Sequence, residues 1–105
     1  MDKVRWTDQA VDDIENIAEF ISKDSVKYAK IQVKRFFDIT RILEKQNKFG
    51  RIVPEINNDK IREIIQGNYR IIYRIVSDNQ IDIITVHHSR RQLSSNPVFN
   101  KEFDL

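Results

Sequence analysis

The chain has no cysteine, which removes disulfides, thiolate metal sites and cysteine nucleophiles from consideration. No apolar run approaches the roughly 18 residues that suggest a membrane span. The opening MDKVRWTD lacks the apolar core of a signal peptide. Net charge is small, +2 over 105 residues, so any strong field must be local. These absences predict a cytoplasmic protein with no membrane association. The length predicts one domain, 1–105, built on a single core of modest stability.

What is present is unevenly placed. Asp and Glu are abundant in the first half, and arginine recurs through the later strand region, at Arg62, Arg70, Arg74, Arg90 and Arg91. Residues 61–91, IREIIQGNYRIIYRIVSDNQIDIITVHHSRR, hold three β-type runs parted by short polar breaks. Asn68 lies in the first break and Ser77-Asp78-Asn79 in the second, which favours antiparallel hairpins with strands near 61–66, 69–77 and 80–88.

Upstream, KVRW (residues 3–6) reads as a strand, and Thr7 is placed to cap a helix. Ala10, Ile14, Ile17, Ala18 and Ile21 recur at helical spacing to about Ser22. Asp24-Ser25 starts a second helix, carried by Ala29, Val33, Phe36, Phe37, Thr40 and Leu43 to about Gln46, with Gly50 as its cap. Pro54 argues against a continuous strand in 47–60. The tail 94–105 is weakly specified. The fold class predicted is α+β: an N-terminal strand, a helical hairpin, then a three-stranded antiparallel meander. Together they form a twisted, mainly antiparallel sheet with helices on one face.

Alternation sorts the central strand. Tyr69, Ile71, Tyr73 and Ile75 share the face expected to meet the helices, and Arg70, Ile72, Arg74 and Val76 share a second, basic face expected to be free for binding. Arg62 joins Arg70 there in one register of the sheet. Fixed guanidinium groups stabilise the charge that develops on phosphorus during RNA cleavage, or hold acidic side chains. The plainer alternative is that Arg70 and Arg74 pair with Glu63 or Asp82 across the sheet. His87 and His88 are adjacent, so only one faces the basic side; His88, beside Arg90, is the one preferred for proton transfer. Arg90 and Arg91 are candidates to grip phosphate or a target. Glu55 reads as a partner for an arginine such as Arg51. The periodic placement of Tyr69, Tyr73, Phe36 and Phe37 points to core and not to base stacking. No metal-ligand set stands out, and no cofactor is expected.

The order strand, two helices, three strands resembles the RelE/ParE toxin superfamily of type II toxin–antitoxin and plasmid stabilisation systems. The resemblance rests on Gly50-Arg51-Ile52-Val53-Pro54-Glu55, Ile61-Arg62-Glu63, Gly67-Asn68-Tyr69-Arg70-Ile71-Ile72-Tyr73-Arg74 and Val86-His87-His88-Ser89-Arg90-Arg91-Gln92-Leu93. It implies a growth-inhibiting toxin, neutralised by an antitoxin that lays an acidic, amphipathic segment over it in a hetero-oligomer. RelE-like members cut mRNA on the ribosome, and ParE-like members poison DNA gyrase. In the RelE case Arg70, Arg62 and His88 would form the catalytic set, with Arg74, Arg90 and Arg91 binding target or phosphate. No tyrosine follows Tyr73 where the nuclease branch carries a late one, which favours the ParE branch. A third implied possibility is an inactive relative retained as a binding module. On this reading Arg70→Ala is expected to lower toxicity more than stability.

Overall fold

The computed structural model describes residues 3–98. β1 (Lys3–Trp6) leads into α1 (Asp8–Ser22) and α2 (Val26–Thr40). A two-residue β2 (Arg51–Ile52) then precedes β3 (Ile61–Gln66), β4 (Tyr69–Ser77) and β5 (Gln80–His88). Both helices start at the expected caps: the Thr7 hydroxyl accepts from the Ala10 amide, and the Ser25 hydroxyl accepts from the Tyr28 amide.

The second helix ends earlier than its periodicity suggests. At Thr40 it tightens into a 3-10 turn, Arg41–Glu44. The buried Thr40 hydroxyl lies 3.0 Å from the carbonyls of both Phe36 and Phe37. Such back-bonding bends a helix end. Gly50 is therefore not the cap of this helix. Its constraint is space: a Cβ there would sit 2.5 Å from the Glu63 carbonyl oxygen and 2.8 Å from the Tyr73 ring.

The sheet order is β1-β5-β4-β3-β2. β1 runs parallel to β5, and the remaining neighbours are antiparallel, so the sheet is mixed. Gly67 has φ 59° in the two-residue turn between β3 and β4, a backbone shape that favours glycine. Pro54 limits β2 to two residues, as its missing N–H would limit any ladder.

Tyr69, Ile71, Tyr73 and Ile75 do face the helices. They pack with Ile64, Ile81, Ile83 and Val86 against Ala10, Ile14, Phe36 and Leu43. Phe36 meets Tyr69 edge-on at 5.3 Å between ring centres. Fully burying one such isoleucine contributes about 1.5–3 kcal/mol, so this layer is the main source of stability.

The second face is not free, contrary to the expectation from alternation. Val53 and Ile56 from the loop after β2, and Leu93 and Val98 from the C-terminal segment, pack over Ile61, Ile72 and Ile84. Semi-apolar alternation had recorded a second, smaller core.

One irregularity in β5 changes which side chains share a face. Tyr73 pairs with Ile83 but Ile72 pairs with Thr85, leaving Ile84 as an extra residue. Ile83 joins the helix-side core and Ile84 the other one. Beyond this bulge the phase of β5 is reversed. His87 lies opposite Arg70, and His88 lies opposite Tyr69 on the helix side. The preferred placement of His88 on the basic face is thus corrected: His87 holds it.

Candidate functional site

The site expected around Arg70 is an ion-pair network. Arg70 donates from Nε to Glu63 at 2.5 Å and, through both terminal nitrogens, to the two carboxylate oxygens of Glu55 at 2.8 Å each. Arg51 donates from Nε to the other Glu63 oxygen at 2.6 Å. The Glu63 side chain is 0% exposed and that of Arg70 11%. The expected partnership of Glu55 with Arg51 is replaced: Glu55 takes Arg70, and Arg51 takes Glu63. The bidentate hydrogen bond from Arg70 holds the Glu55 carboxyl down at about 2. The same contact raises Arg70 above its ordinary value, against the opposing effect of burial. In this conformation every polar edge of the Arg70 guanidinium faces a carboxylate.

Arg62 does not join it. It lies opposite Tyr73, on the helix side of β3, whereas Arg70 lies opposite Ile65. Arg62 donates to the carbonyls of Gly50 at 2.9 Å and Asp59 at 2.8 Å, so it fixes the ends of the 50–60 loop. Arg74 stands opposite Ile61 and Asp82. Burial pushes the Asp82 carboxyl up, but hydrogen bonds from Arg5 and Gln80, with the charges of Arg5 and Arg74, leave it lowered.

A second constellation forms where β5 leaves the sheet. β1 pairs with β5 only as far as Ile83, so the later edge of β5 has no strand beside it. α1 crosses there instead. Asp13 accepts from the Val86 amide at 3.0 Å and from the Thr85 hydroxyl, while Gln9 donates to its other oxygen at 2.8 Å. Thr85 in turn accepts from the Asn96 amide at 3.1 Å. The same Asn96 nitrogen faces His87 Nδ1 at 3.1 Å, and the Asn96 oxygen accepts from the Val98 amide at 3.0 Å. His87 Nε2 meets the Arg91 carbonyl at 2.9 Å. His87 is therefore a satisfied buried side chain that ties the C-terminal segment to the sheet.

Beside this chain of bonds lies a cavity of about 610 Å³ between α1, the end of β5 and the C-terminal segment. His88, Arg90 and Arg91 line it, together with Phe20 and Ile17 of α1. Sequence reasoning missed Asp13, Asn96 and Phe20. Phe20 left one signal: it lies outside the apolar stripe of α1 and is 70% exposed. Asp13 and Asn96 left none, since each looks like an ordinary polar residue of a helix face or a tail. Among the described residues, no group of three or more His, Asp or Glu side chains is arranged to hold a metal ion.

A model of the family described as the ParE toxin of type II toxin–antitoxin system, parDE, matches residues 4–93. The chain belongs to the ParE toxin family. The matched span runs from the second residue of β1 through both helices and all the later strands. No curated protein sequence matches the chain. Among solved structures, a chain of the chromosomal ParDE TA system from P. aeruginosa is similar in fold. It has a TM-score of 0.69 at 16% identity, covering 84% of this chain and 96% of that one. The fold thus persists at low identity, as expected where hydrophobic pattern and topology carry it. As a ParE-family protein the chain is a toxin component of the type II class.

Proposed function

We propose that this ParE-family toxin arrests growth in the cytoplasm by engaging DNA gyrase as a protein-binding inhibitor, and that an antitoxin neutralises it. The observation that carries this reading is the scattering of the residues a nuclease would need together. Arg70 is saturated by Glu55 and Glu63 on the tail-covered face. Arg62 and His88 lie on the helix side, opposite Tyr73 and Tyr69. Those positions are four residues apart along β4, about 13 Å at ~3.3 Å per residue. General acid–base catalysis requires hydrogen-bond reach, roughly 3 Å, to a shared reacting group. An arrangement of this kind suits recognition better than proton transfer, and family membership supports gyrase as the target.

The test is induction of the toxin followed by two measurements. Gyrase-dependent double-strand DNA breaks are expected, with no codon-dependent mRNA cleavage on programmed ribosomes. Efficient ribosomal cutting that vanishes in His88→Ala would replace this reading with the nuclease one.

A further inference from the structure

The two helices carry opposite charge. α1 holds Asp8, Asp12, Asp13, Glu15 and Glu19 and no lysine or arginine. α2 holds Lys27, Lys30, Lys34 and Arg35 against the single carboxylate of Asp38. Asp13 turns inward to β5. Asp12, Glu15 and Glu19 are exposed and fall three and four residues apart, so they form one line along α1. Lys27, Lys30 and Lys34 form the matching line on α2 by the same spacing. Among the described residues Glu15, Glu19, Lys27 and Lys30 make no ion pair. Lys34 holds Asp38 at 2.6 Å, an exposed pair that exchanges partners at little cost.

These lines border an apolar groove of about 600 Å³, lined by Ala18, Val26, Ala29 and Val33 with Glu19 on one rim and Lys30 and Lys34 on the other. Val11, seven residues before Ala18, and Phe37, four after Val33, continue the strip toward the far end of the hairpin. Val26 is 60% exposed, and Val11 and Phe37 are 40% and 41% exposed. A contiguous apolar strip of this kind, rimmed by charge, marks a surface that something covers.

We propose that the outer face of the α1–α2 hairpin is a self-association surface, and that its occupant is a second copy of this chain in a two-fold dimer. An isologous contact needs a surface complementary to itself, and acid on one helix with base on the other meets that condition. The chain turns back between Ser22 and Val26, so the helices run antiparallel. A two-fold axis along the groove sets α1 of one copy over α2 of the other at the same level. Glu19 then meets Lys30, and Glu15, one turn back, meets Lys34, one turn on. Each pair forms twice, around the joined apolar strips. An axis across the groove sets acid on acid and base on base, which repulsion opposes. A partner of one charge sign would be repelled by half of the face, so charge complementarity singles out a second copy. Each 15-residue helix is about 22 Å long, so the contact is small and the dimer dissociates at roughly micromolar concentration. The dimer is independent of which target the toxin engages and of how it is neutralised.

The experiment is analytical ultracentrifugation of the full-length chain alone over a concentration series, at low and high salt. A reversible monomer–dimer equilibrium is expected, weakened by salt. Two charge-reversed variants are compared with the wild type: Glu15→Lys with Glu19→Lys, and Lys30→Glu with Lys34→Glu. All four positions are exposed, and thermal melts check that each variant is folded. Each variant alone is expected to self-associate about tenfold more weakly or worse, since like charges then face each other. An equimolar mixture of the two is expected to recover the dimer as a heterodimer, because the lysines of one then meet the glutamates of the other on both sides of the axis. Arg90→Ala with Arg91→Ala, at the exit of β5, is expected to dimerise like the wild type. A wild type that stays monomeric throughout the series would overturn the proposal and leave the ParE toxin reading intact. Dimers indifferent to both reversals, a mixture that does not recover, or loss of the dimer in the arginine control would overturn it too. Growth beyond the dimer would show a head-to-tail contact and exclude the two-fold one.

Discussion

Arg70 has to be re-read as a structural residue first. As a solvated strand arginine it would cost about 0.5 kcal/mol to truncate. Buried between Glu63 and Glu55, it is instead one of two cations, with Arg51, that make the fully buried Glu63 tolerable. Removing one partner of a buried pair costs about 3–5 kcal/mol, because the other charge stays behind in a poor dielectric. Arg70→Ala is therefore expected to lose most of the stability of this small domain in urea titrations. Arg70→Met combined with Glu63→Met is expected to lose less than Arg70→Ala alone, since no charge is left buried without its partner and the remaining Glu55 and Arg51 are solvent-accessible. Any loss of toxicity in Arg70→Ala must be read against folded fraction. Glu55 gives a second test at this scale. Its folded pKa, about 2, is depressed below the ordinary 4.5. Its stabilising contribution is thus complete above about pH 4.5 and disappears as pH falls through about 2. Denaturation at stepped pH should show the wild type losing more stability over that window than Glu55→Gln does.

Elements that look incidental in sequence hold the fold's second layer. The C-terminal segment is fixed by Asn96, whose amide serves Thr85, His87 and Val98 at once. Asn96→Ala leaves several buried groups without a partner, at about 1–3 kcal/mol. Hydrogen exchange should report this as faster exchange of the Val98 amide, with the centre of β4 still protected. The short β2 depends on Gly50 in a different way. The Gly50 amide donates to the Tyr73 hydroxyl at 2.9 Å, and that hydroxyl donates to the Asn47 carbonyl at 2.8 Å. Gly50→Ala drives a methyl into the Glu63 carbonyl and this ring, and overpacking of that kind costs about 1–3 kcal/mol. A lowered melting temperature is the expected readout, and an unchanged one would show that β2 shifts freely.

Across the whole molecule, the two faces of the sheet divide the work. The helix side carries the larger core, and the other side is closed by the loop after β2 and the segment 93–98. Among the described residues no helix is long and apolar enough to cross a membrane. The exposed apolar positions Phe20, Val26 and Tyr28 gather on the helical hairpin, where a partner would cover them. At this scale the prediction is physiological. Expression of the chain alone is expected to arrest bacterial growth, and co-expression of the neighbouring antitoxin to restore it, as read by colony counts. Normal growth with soluble, folded protein would favour an inactive relative.

The sequence alone determined the order of β1, the two helices and the three-strand meander, but neither the short β2 nor the end of α2. Local signals suffice for caps at Thr7 and Ser25, for turns at Asn68 and Ser77-Asp78-Asn79, and for the helix-facing set Tyr69, Ile71, Tyr73 and Ile75, because each is written within a few residues. The family resemblance was legible for the same reason, in short motifs of fixed order. Tertiary structure decided the site. The bulge at Ile84 exchanges the faces of His87 and His88, and alternation cannot reveal one inserted residue. The β3–β4 register separates Arg62 from Arg70, and the folded loop brings Glu55 to Arg70 across 15 residues of chain. Charge placement on a strand is a local property. Whether that charge is neutralised, buried or exposed depends on partners distant in sequence, which only the packed sheet brings within 3 Å.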